Sequence, residues 1–66
     1  MKNYNFLIVF YRVWLKDREN PKNILQYSKP VFYVESIKEG ALRAMQTTSD
    51  FEWECYKVDL VEIYAN

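Results

Sequence analysis

Five carboxylates near the C-terminal end of the chain are the side chains best suited to acid–base chemistry: Asp50, Glu52, Glu54, Asp59 and Glu62. Enzymes that use such groups usually add a histidine base, a metal site or a phosphate-binding loop. The sequence has no histidine, and one cysteine cannot form a cysteine-based zinc site. Its only glycine, Gly40, cannot supply a glycine-rich phosphate loop. We therefore expect a non-catalytic protein without metal or cofactor, in which the carboxylates form a solvated strand face and Cys55 is a small buried side chain.

The charges are separated along the chain, although they cancel overall. Residues 1–49 carry eight Lys and Arg against four Asp and Glu, whereas residues 50–66 carry one Lys against five acids. Asp50, Glu52 and Glu54 alternate in a segment predicted to be a strand, where same-face neighbours lie about 6.6–6.8 Å apart. Such a carboxylate row resembles a row of phosphates and suggests a nucleic-acid mimic. A charged edge that discourages strand pairing is the simpler interpretation.

Four basic residues surround a predicted hairpin loop: Lys16, Arg18, Lys22 and Lys29. With aromatic side chains nearby, these cations could bind RNA or single-stranded DNA. Asp17 and Glu19 dilute the patch, so an ordinary solvated loop also explains it. The net charge of zero gives no general attraction to nucleic acid or anionic lipid. Nucleic-acid binding is therefore an alternative hypothesis.

The first half of the chain predicts a β-hairpin. Residues 4–15 and 24–34 are rich in β-branched and aromatic residues, and the polar residues 16–23 separate them. In the first segment both the even-numbered and the odd-numbered residues are mostly apolar, so both faces of the strand would be apolar, which is typical of a central strand. Pro30 lacks an amide donor, which places the second strand at an edge of the sheet.

A single helix follows the hairpin. Ser36 and Glu39 match a capping box, which predicts a helix that runs to about residue 48. Glu39 and Arg43 have the spacing of a helical ion pair. Gly40 lies near the small residues of the apolar stripe, so a close approach of helix to sheet would explain a glycine there.

Residues 51–64 predict a third strand, and its apolar alternation slips at Leu60 and Val61 in the manner of a β-bulge. A hairpin followed by a helix and a strand gives the order β-β-α-β. We expect one α+β domain over residues 1–66, with a three-stranded antiparallel sheet in the order 2-1-3 and one helix on one face.

One helix of about twelve residues covers only one face of such a sheet. We predict that Leu7, Val9, Val13 and Leu15 lie beneath it. The opposite face would then expose Phe6, Ile8, Phe10, Arg12 and Trp14, a mixture of aromatics and arginine that is typical of interface centres. Two alternatives stay open at this stage: the reverse assignment of the faces, or coverage of the second face by the second strand, the loop and the termini.

The longest apolar run, residues 6–11, is too short to span a bilayer, which needs about 20 residues. Arg12 interrupts the apolar sequence, and no small-residue cleavage site follows, so we expect no export signal. A cytoplasmic protein is the expectation.

The segment VFYVESIKEGALRAM, followed by YKVDLVEIY, resembles a unit found in compact accessory proteins of bacteriophages, including several anti-CRISPR inhibitors. The resemblance covers residues 31–64 and concerns size, composition and architecture. The same unit also resembles the architecture of the archaeal ribosomal protein LX, with one helix and one sheet. That family is basic and binds RNA, whereas this chain has a net charge of zero. The phage resemblance implies a short viral protein without cofactor that docks on a larger host protein.

Three hypotheses of function follow. The first is a protein-binding module, in its sharpest form a phage-type inhibitor of a host protein or nucleoprotein complex, with partner contacts from Phe6, Ile8, Phe10, Arg12, Trp14, Asp50, Glu52 and Glu54. The second is a small nucleic-acid-binding protein that uses the basic hairpin. The third is a homodimer in which two sheets pack face to face.

Overall fold

The computed structural model describes residues 6–65, which form three strands and one helix. β1 spans Leu7–Asp17, β2 spans Ile24–Val34, α1 spans Ile37–Thr48 and β3 spans Trp53–Ala65. The strands form one antiparallel sheet in the order β2-β1-β3. The predicted α+β fold and its strand order are confirmed. Tyr4, the predicted start of the first strand, lies outside the described residues.

β1 continues two residues beyond its predicted end, so Lys16 and Asp17 belong to the sheet rather than to the loop. The Asp17 amide donates to the Asn23 carbonyl at 3.0 Å and closes the ladder with β2. The Asp17 carboxylate accepts from the amides of Glu19 at 2.9 Å and Asn20 at 3.4 Å. A carboxylate that binds amides two and three residues ahead stabilises a turn, so Asp17 both ends the strand and shapes the loop.

β2 pairs only with β1, so the prediction that Pro30 marks an edge strand is confirmed. Its register shifts between Val31 and Val34, which the sequence did not predict. Within this bulge Tyr33 has a φ of 59°. This left-handed conformation costs a non-glycine residue roughly 1–2 kcal/mol, so the bulge stores strain where β2 leaves the sheet.

α1 begins at the N-cap Ser36, whose Oγ accepts from the Glu39 amide at 3.1 Å. A capping box also predicts that the Glu39 carboxylate accepts from the Ser36 amide. The prediction of this second hydrogen bond is wrong, because the carboxylate accepts from the Glu35 amide instead, at 3.2 Å. Glu39 thus serves an amide one residue before the cap. The predicted ion pair with Arg43 is present at 3.7 Å, and the helix ends at Thr48 as expected.

The close approach of helix to sheet that Gly40 suggested is confirmed. The Tyr11 hydroxyl donates to the Ile37 carbonyl at 2.6 Å, so the ring reaches from β1 to the first turn of α1. A Cβ on Gly40 would overlap the Tyr11 hydroxyl oxygen and lie 3.1 Å from Cε2 and Cζ of the same ring. Only glycine leaves room for this tyrosine.

β3 begins at Trp53, two residues later than predicted. The predicted slip near Leu60 is a β-bulge, because Leu60 and Glu62 pair with adjacent residues of β1 and Val61 has no partner. A second bulge, which the sequence did not predict, leaves Tyr56 unpaired in the same way.

The buried side chains lie between α1 and one face of the sheet. They are Val9, Tyr11, Val13, Leu15, Val31, Val34, Ala44 and Cys55, with Leu7 packed against them. The predicted helix-facing set of β1 is therefore confirmed, and the reverse assignment of faces is wrong. β2 lies in the plane of the sheet and does not fold over the second face. The buried state of Cys55 is also confirmed.

The molecule is elongated, with extents of 51 × 19 × 13 Å. The strands account for the long dimension, since the thirteen residues of β3 extend about 43 Å whereas the twelve of α1 extend about 18 Å. No helix in residues 6–65 combines the length and the apolar character needed to cross a membrane.

Candidate protein-binding surface

The sheet face opposite α1, here named the open face, carries the even-numbered residues of β1. Successive strand side chains point to opposite faces, and the odd-numbered residues from Val9 to Leu15 are buried beneath α1. The open face therefore contains Ile8, Phe10, Arg12, Trp14 and Lys16. No helix or strand formed by residues 6–65 covers it. Phe6, which directly precedes β1, is partly exposed, as are Ile8, Phe10 and Trp14.

β3 adds aromatic and cationic contacts to this row. Tyr64 pairs with Ile8, and its ring meets that of Phe10 edge to face, with centroids 5.8 Å apart. The ammonium of Lys57 lies 4.5 Å from the centroid of the Trp14 ring, a cation–π geometry. These neighbours hold the two large aromatic side chains of β1 against the sheet, which limits the entropy that they would lose on binding a partner.

The charged groups on the open face come mainly from β3. Glu54 forms an ion pair with Lys16 at 3.8 Å, and Asp59 forms one with Lys57 at 3.7 Å. Glu62 accepts a hydrogen bond from Tyr64 at 2.5 Å, and this bond, followed by the negative charge of Glu62, raises the pKa of the Tyr64 hydroxyl.

Arg12 occupies the centre of the open face. It is exposed, and no carboxylate within residues 6–65 forms an ion pair with it, although Asp59 is its backbone partner in β3. Its other neighbour is Ser28 of β2, an uncharged residue. Among the described residues the Arg12 guanidinium therefore has no ion-pair partner, and it lies between two aromatic residues with its N–H donors facing the open side of the sheet.

The predicted acidic row on the third strand is wrong. Asp50 and Glu52 precede the strand, and only Glu54 lies within it. The Asp50 carboxylate accepts from the amides of Glu52 at 2.8 Å and Trp53 at 2.7 Å, so it shapes the turn instead of standing in a row. The Glu52 carbonyl accepts from the Arg18 amide at 3.0 Å. A regular strand therefore does not set the spacing of these three carboxylates, and Glu54 alone of the three joins the open face.

The prediction that four cations cluster around the hairpin is also wrong. Lys29 pairs with Tyr11 and Lys16 with Ile24, so about 17 Å of strand separates them and they lie on opposite faces of the sheet. The Arg18 Nε donates to the Asp50 carbonyl at 2.8 Å. Lys22 stays in the exposed loop. The four side chains form no single basic patch.

Two shallow cavities lie outside the open face. One of about 300 Å³ lies at the hairpin end and is lined by Asp17, Glu19, Phe51, Glu52 and Trp53. The other, of about 220 Å³, lies beside β2 and α1 and is lined by Lys29, Pro30, Val31, Phe32, Arg43 and Thr47. Within residues 6–65 no three His, Cys, Asp or Glu side chains come together as a metal-binding group.

Sequence reasoning missed four residues that complete the open face: Lys57, Asp59, Glu62 and Tyr64. Strict alternation along residues 51–64 places odd and even residues on fixed faces, but each β-bulge shifts that phase by one residue. Each bulge coincides with an adjacent apolar pair, Leu60 and Val61 at the one and Cys55 and Tyr56 at the other, but only the first of these signals was recognised in the sequence. Comparison of the chain with protein-family models, curated proteins and solved structures gives no match.

Proposed function

We propose that this protein is a non-catalytic binding module that docks on a larger protein through the open face of its sheet. The observation that carries the proposal is the row of Phe10, Arg12 and Trp14 along the central strand, on a face with no covering helix or strand within residues 6–65. Aromatic side chains that stay partly exposed on an uncovered sheet face are typical of an interaction site.

The composition of the open face matches the centre of a protein interface. Aromatic residues and arginine carry most of the binding energy in such centres, and the surrounding polar residues exclude water. Here Phe10 and Trp14 flank Arg12, which has no ion-pair partner within residues 6–65, while Lys57 and Asp59 form a charged rim beside them. A flat sheet surface also suits a flat partner surface better than a small ligand, which prefers a concave site.

The sharper form of the proposal is a phage-encoded inhibitor that acts in the host cytoplasm by occupying a site on a host protein or nucleoprotein complex. It rests on the architecture and on the short, neutral chain. Direct binding of nucleic acid receives less support, because the four hairpin cations lie on two faces and two of them already bind groups of this chain.

The proposal is tested by affinity capture from a lysate of the native host, with half of the lysate treated with nuclease. The baits are the wild-type protein, the double variant Phe10→Ala/Trp14→Ala and a matched control, Leu42→Ala/Met45→Ala, which removes two large exposed side chains from α1. Circular dichroism and thermal melting establish that each bait is folded. The identified partner is then titrated against all three proteins by calorimetry.

We expect a nuclease-resistant partner that binds the wild type and the α1 control equally. A hot-spot residue contributes about 2 kcal/mol or more, so the double variant Phe10→Ala/Trp14→Ala should bind at least about 30-fold more weakly than the wild type. Retention of the partner by the folded open-face variant would show that this surface is not the binding site. Loss of all capture after nuclease treatment would instead favour the nucleic-acid hypothesis.

A further inference from the structure

The outer edge of β2 presents backbone groups that no strand within residues 6–65 pairs. The Asp17 amide donates to the Asn23 carbonyl, so this opposed pair is hydrogen-bonded across the hairpin. In an antiparallel ladder, bonded and non-bonded pairs alternate. The pairs of Leu25 and Tyr27 with β1 are therefore bonded, whereas the N–H and C=O groups of Ile24, Gln26 and Ser28 point away from the sheet.

Pro30 agrees with this assignment. Like Gln26 and Ser28, it occupies a position at which an N–H group would point away from β1. The ladder with β1 therefore loses no hydrogen bond at this proline. The proline also blocks the outer edge, because it offers no donor to a further strand. Together with Lys29 and the bulge at Tyr33, it protects the second half of β2 from edge pairing.

The first half of β2 has no such protection. Residues 24–28, Ile-Leu-Gln-Tyr-Ser, contain no charge, proline or bulge. The other sheet edge differs, since β3 carries four charged residues and two bulges within its thirteen residues. Edge strands are normally protected by these features, and their absence from one short segment marks it as a pairing site.

We propose that residues 24–28 pair antiparallel with the same segment of a second copy, about a two-fold axis at Gln26. This register pairs Gln26 with Gln26 of the partner subunit and Ile24 with Ser28 of the partner subunit. All three outward-facing residues then have both a donor and an acceptor, which gives six main-chain hydrogen bonds. An axis at Ser28 would place Gln26 against a proline and lose donors, so Pro30 disfavours registers shifted toward the second half of β2.

The side chains suit this pairing. Leu25 and Tyr27 lie on the α1 side of the sheet and are 42% and 38% exposed. With the axis at Gln26, Leu25 lies opposite Tyr27 of the partner subunit, and Tyr27 lies opposite Leu25 of the partner subunit. Such apolar cross-strand pairs stabilise a ladder. Lys29 faces Asn23 of the partner subunit, so no like charges are directly opposed. Because the axis is perpendicular to the sheet, both open faces lie on one side of a six-stranded sheet.

The contact is small, with five residues a side against about 20–30 in a standard interface. We therefore expect a reversible dimer whose population rises between about 10 µM and about 1 mM, in the weak range of affinities. This inference does not depend on the proposed partner of the open face.

Analytical ultracentrifugation across this range tests the proposal with four proteins. The wild type should change from the 8.0 kDa monomer to twice that mass. Gln26→Pro removes only an outward N–H, so the fold should survive while the dimer is lost. Gln26→Lys keeps the backbone donor and opposes two charges at the axis, and should also be monomeric. Gln26→Thr keeps donor and neutrality, and should dimerise like the wild type.

Amide hydrogen exchange of the wild type supplies an independent readout. The amides of Leu25 and Tyr27 should be protected at every concentration, because they bond to β1. Those of Ile24, Gln26 and Ser28 should exchange about tenfold more slowly when nine-tenths of the chains are dimeric, since only the free edge exchanges.

A wild-type mass that stays monomeric at 1 mM would overturn the proposal and leave the edge to solvent or to a strand of another protein. A dimer that survives in folded Gln26→Pro and Gln26→Lys would also overturn it, because the interface would then lie elsewhere, for example between two open faces. If Gln26→Pro fails to fold, Gln26→Lys and the exchange pattern decide.

Discussion

The contact between Gly40 and Tyr11 allows a prediction that opposes ordinary helix propensity. Alanine stabilises a helix interior by about 0.8–1.0 kcal/mol relative to glycine, so Gly40→Ala would be expected to raise stability if the helix alone mattered. In this fold the added Cβ would overlap the Tyr11 hydroxyl oxygen. The ring cannot turn away into solvent, because it is only 1% exposed and its hydroxyl donates to the Ile37 carbonyl at 2.6 Å.

The expected magnitude follows from three terms. Overpacking of a close-packed core costs about 1–3 kcal/mol. Displacement of the Tyr11 hydroxyl loses a hydrogen bond of about 0.5–1.5 kcal/mol. The propensity gain offsets about 1 kcal/mol of this sum. We therefore expect Gly40→Ala to lower the free energy of unfolding by about 2 kcal/mol, which for a domain of this size lowers Tm by about 8–16 °C.

Thermal and urea unfolding followed by circular dichroism measure the effect. Gln46→Ala and Gln46→Gly, at an exposed position of the same helix, give the propensity difference without a clash. The same Gly40→Ala change in a Tyr11→Phe background removes the overlapping oxygen, and should cost at least about 1 kcal/mol less than in the wild type. A Gly40→Ala variant that is more stable than the wild type would refute the argument that Tyr11 requires glycine here.

Two further predictions concern the backbone of β2 and the tyrosine hydroxyls. Tyr33 is 61% exposed and has a φ of 59°, a conformation that asparagine tolerates better than tyrosine, so Tyr33→Asn should stabilise the fold by about 1 kcal/mol. The control Phe32→Asn should give no such gain. A lower Tm for Tyr33→Asn would mean that the tyrosine side chain contributes more stability than the strain costs. Burial raises the pKa of the Tyr11 hydroxyl above its ordinary value of 10, so the folded state holds this proton more tightly than the unfolded state. This group should therefore leave the free energy of unfolding unchanged below pH 10 and lower it as the pH rises above 10. The decline should be shallower in Tyr11→Phe. Free energies of unfolding from urea titrations that fall equally steeply with pH in both proteins would contradict this.

The open face offers a large surface at the cost of a thin core. One twelve-residue helix shields a single face of a sheet that carries apolar residues on both faces of its central strand. The core is correspondingly small, with Tyr11 as its largest fully buried side chain. Small domains bury a limited fraction of their surface, so a substitution at Gly40 or Tyr11 affects a large share of the total stability.

The two predictions of charged sites failed for related reasons. Asp50 and Glu52 have strand-like spacing, but the Asp50 carboxylate captures the two amides that follow it and delays the strand to Trp53. Lys16 and Lys29 are both close in sequence to the loop, but a long hairpin separates residues by their register and not by their distance from the turn. In each case a local bond or a pairing partner decided where the charge lies.

The sequence by itself determined the order of the elements, the central position of β1 and the edge position of β2, and it left open which face of β1 lies beneath α1. Each of these depends on local chemistry: alternation of side chains, a proline without a donor, and a serine that caps the helix. Only the tertiary structure decided which residues of β3 join the open face, since two bulges shift its phase. The requirement for glycine at position 40 also depends on the tertiary structure, because the ring that excludes a Cβ belongs to Tyr11, 29 residues earlier in the chain. Residues 24–28 likewise form an unprotected edge only in the folded sheet, because a free edge exists only once the other strands have paired.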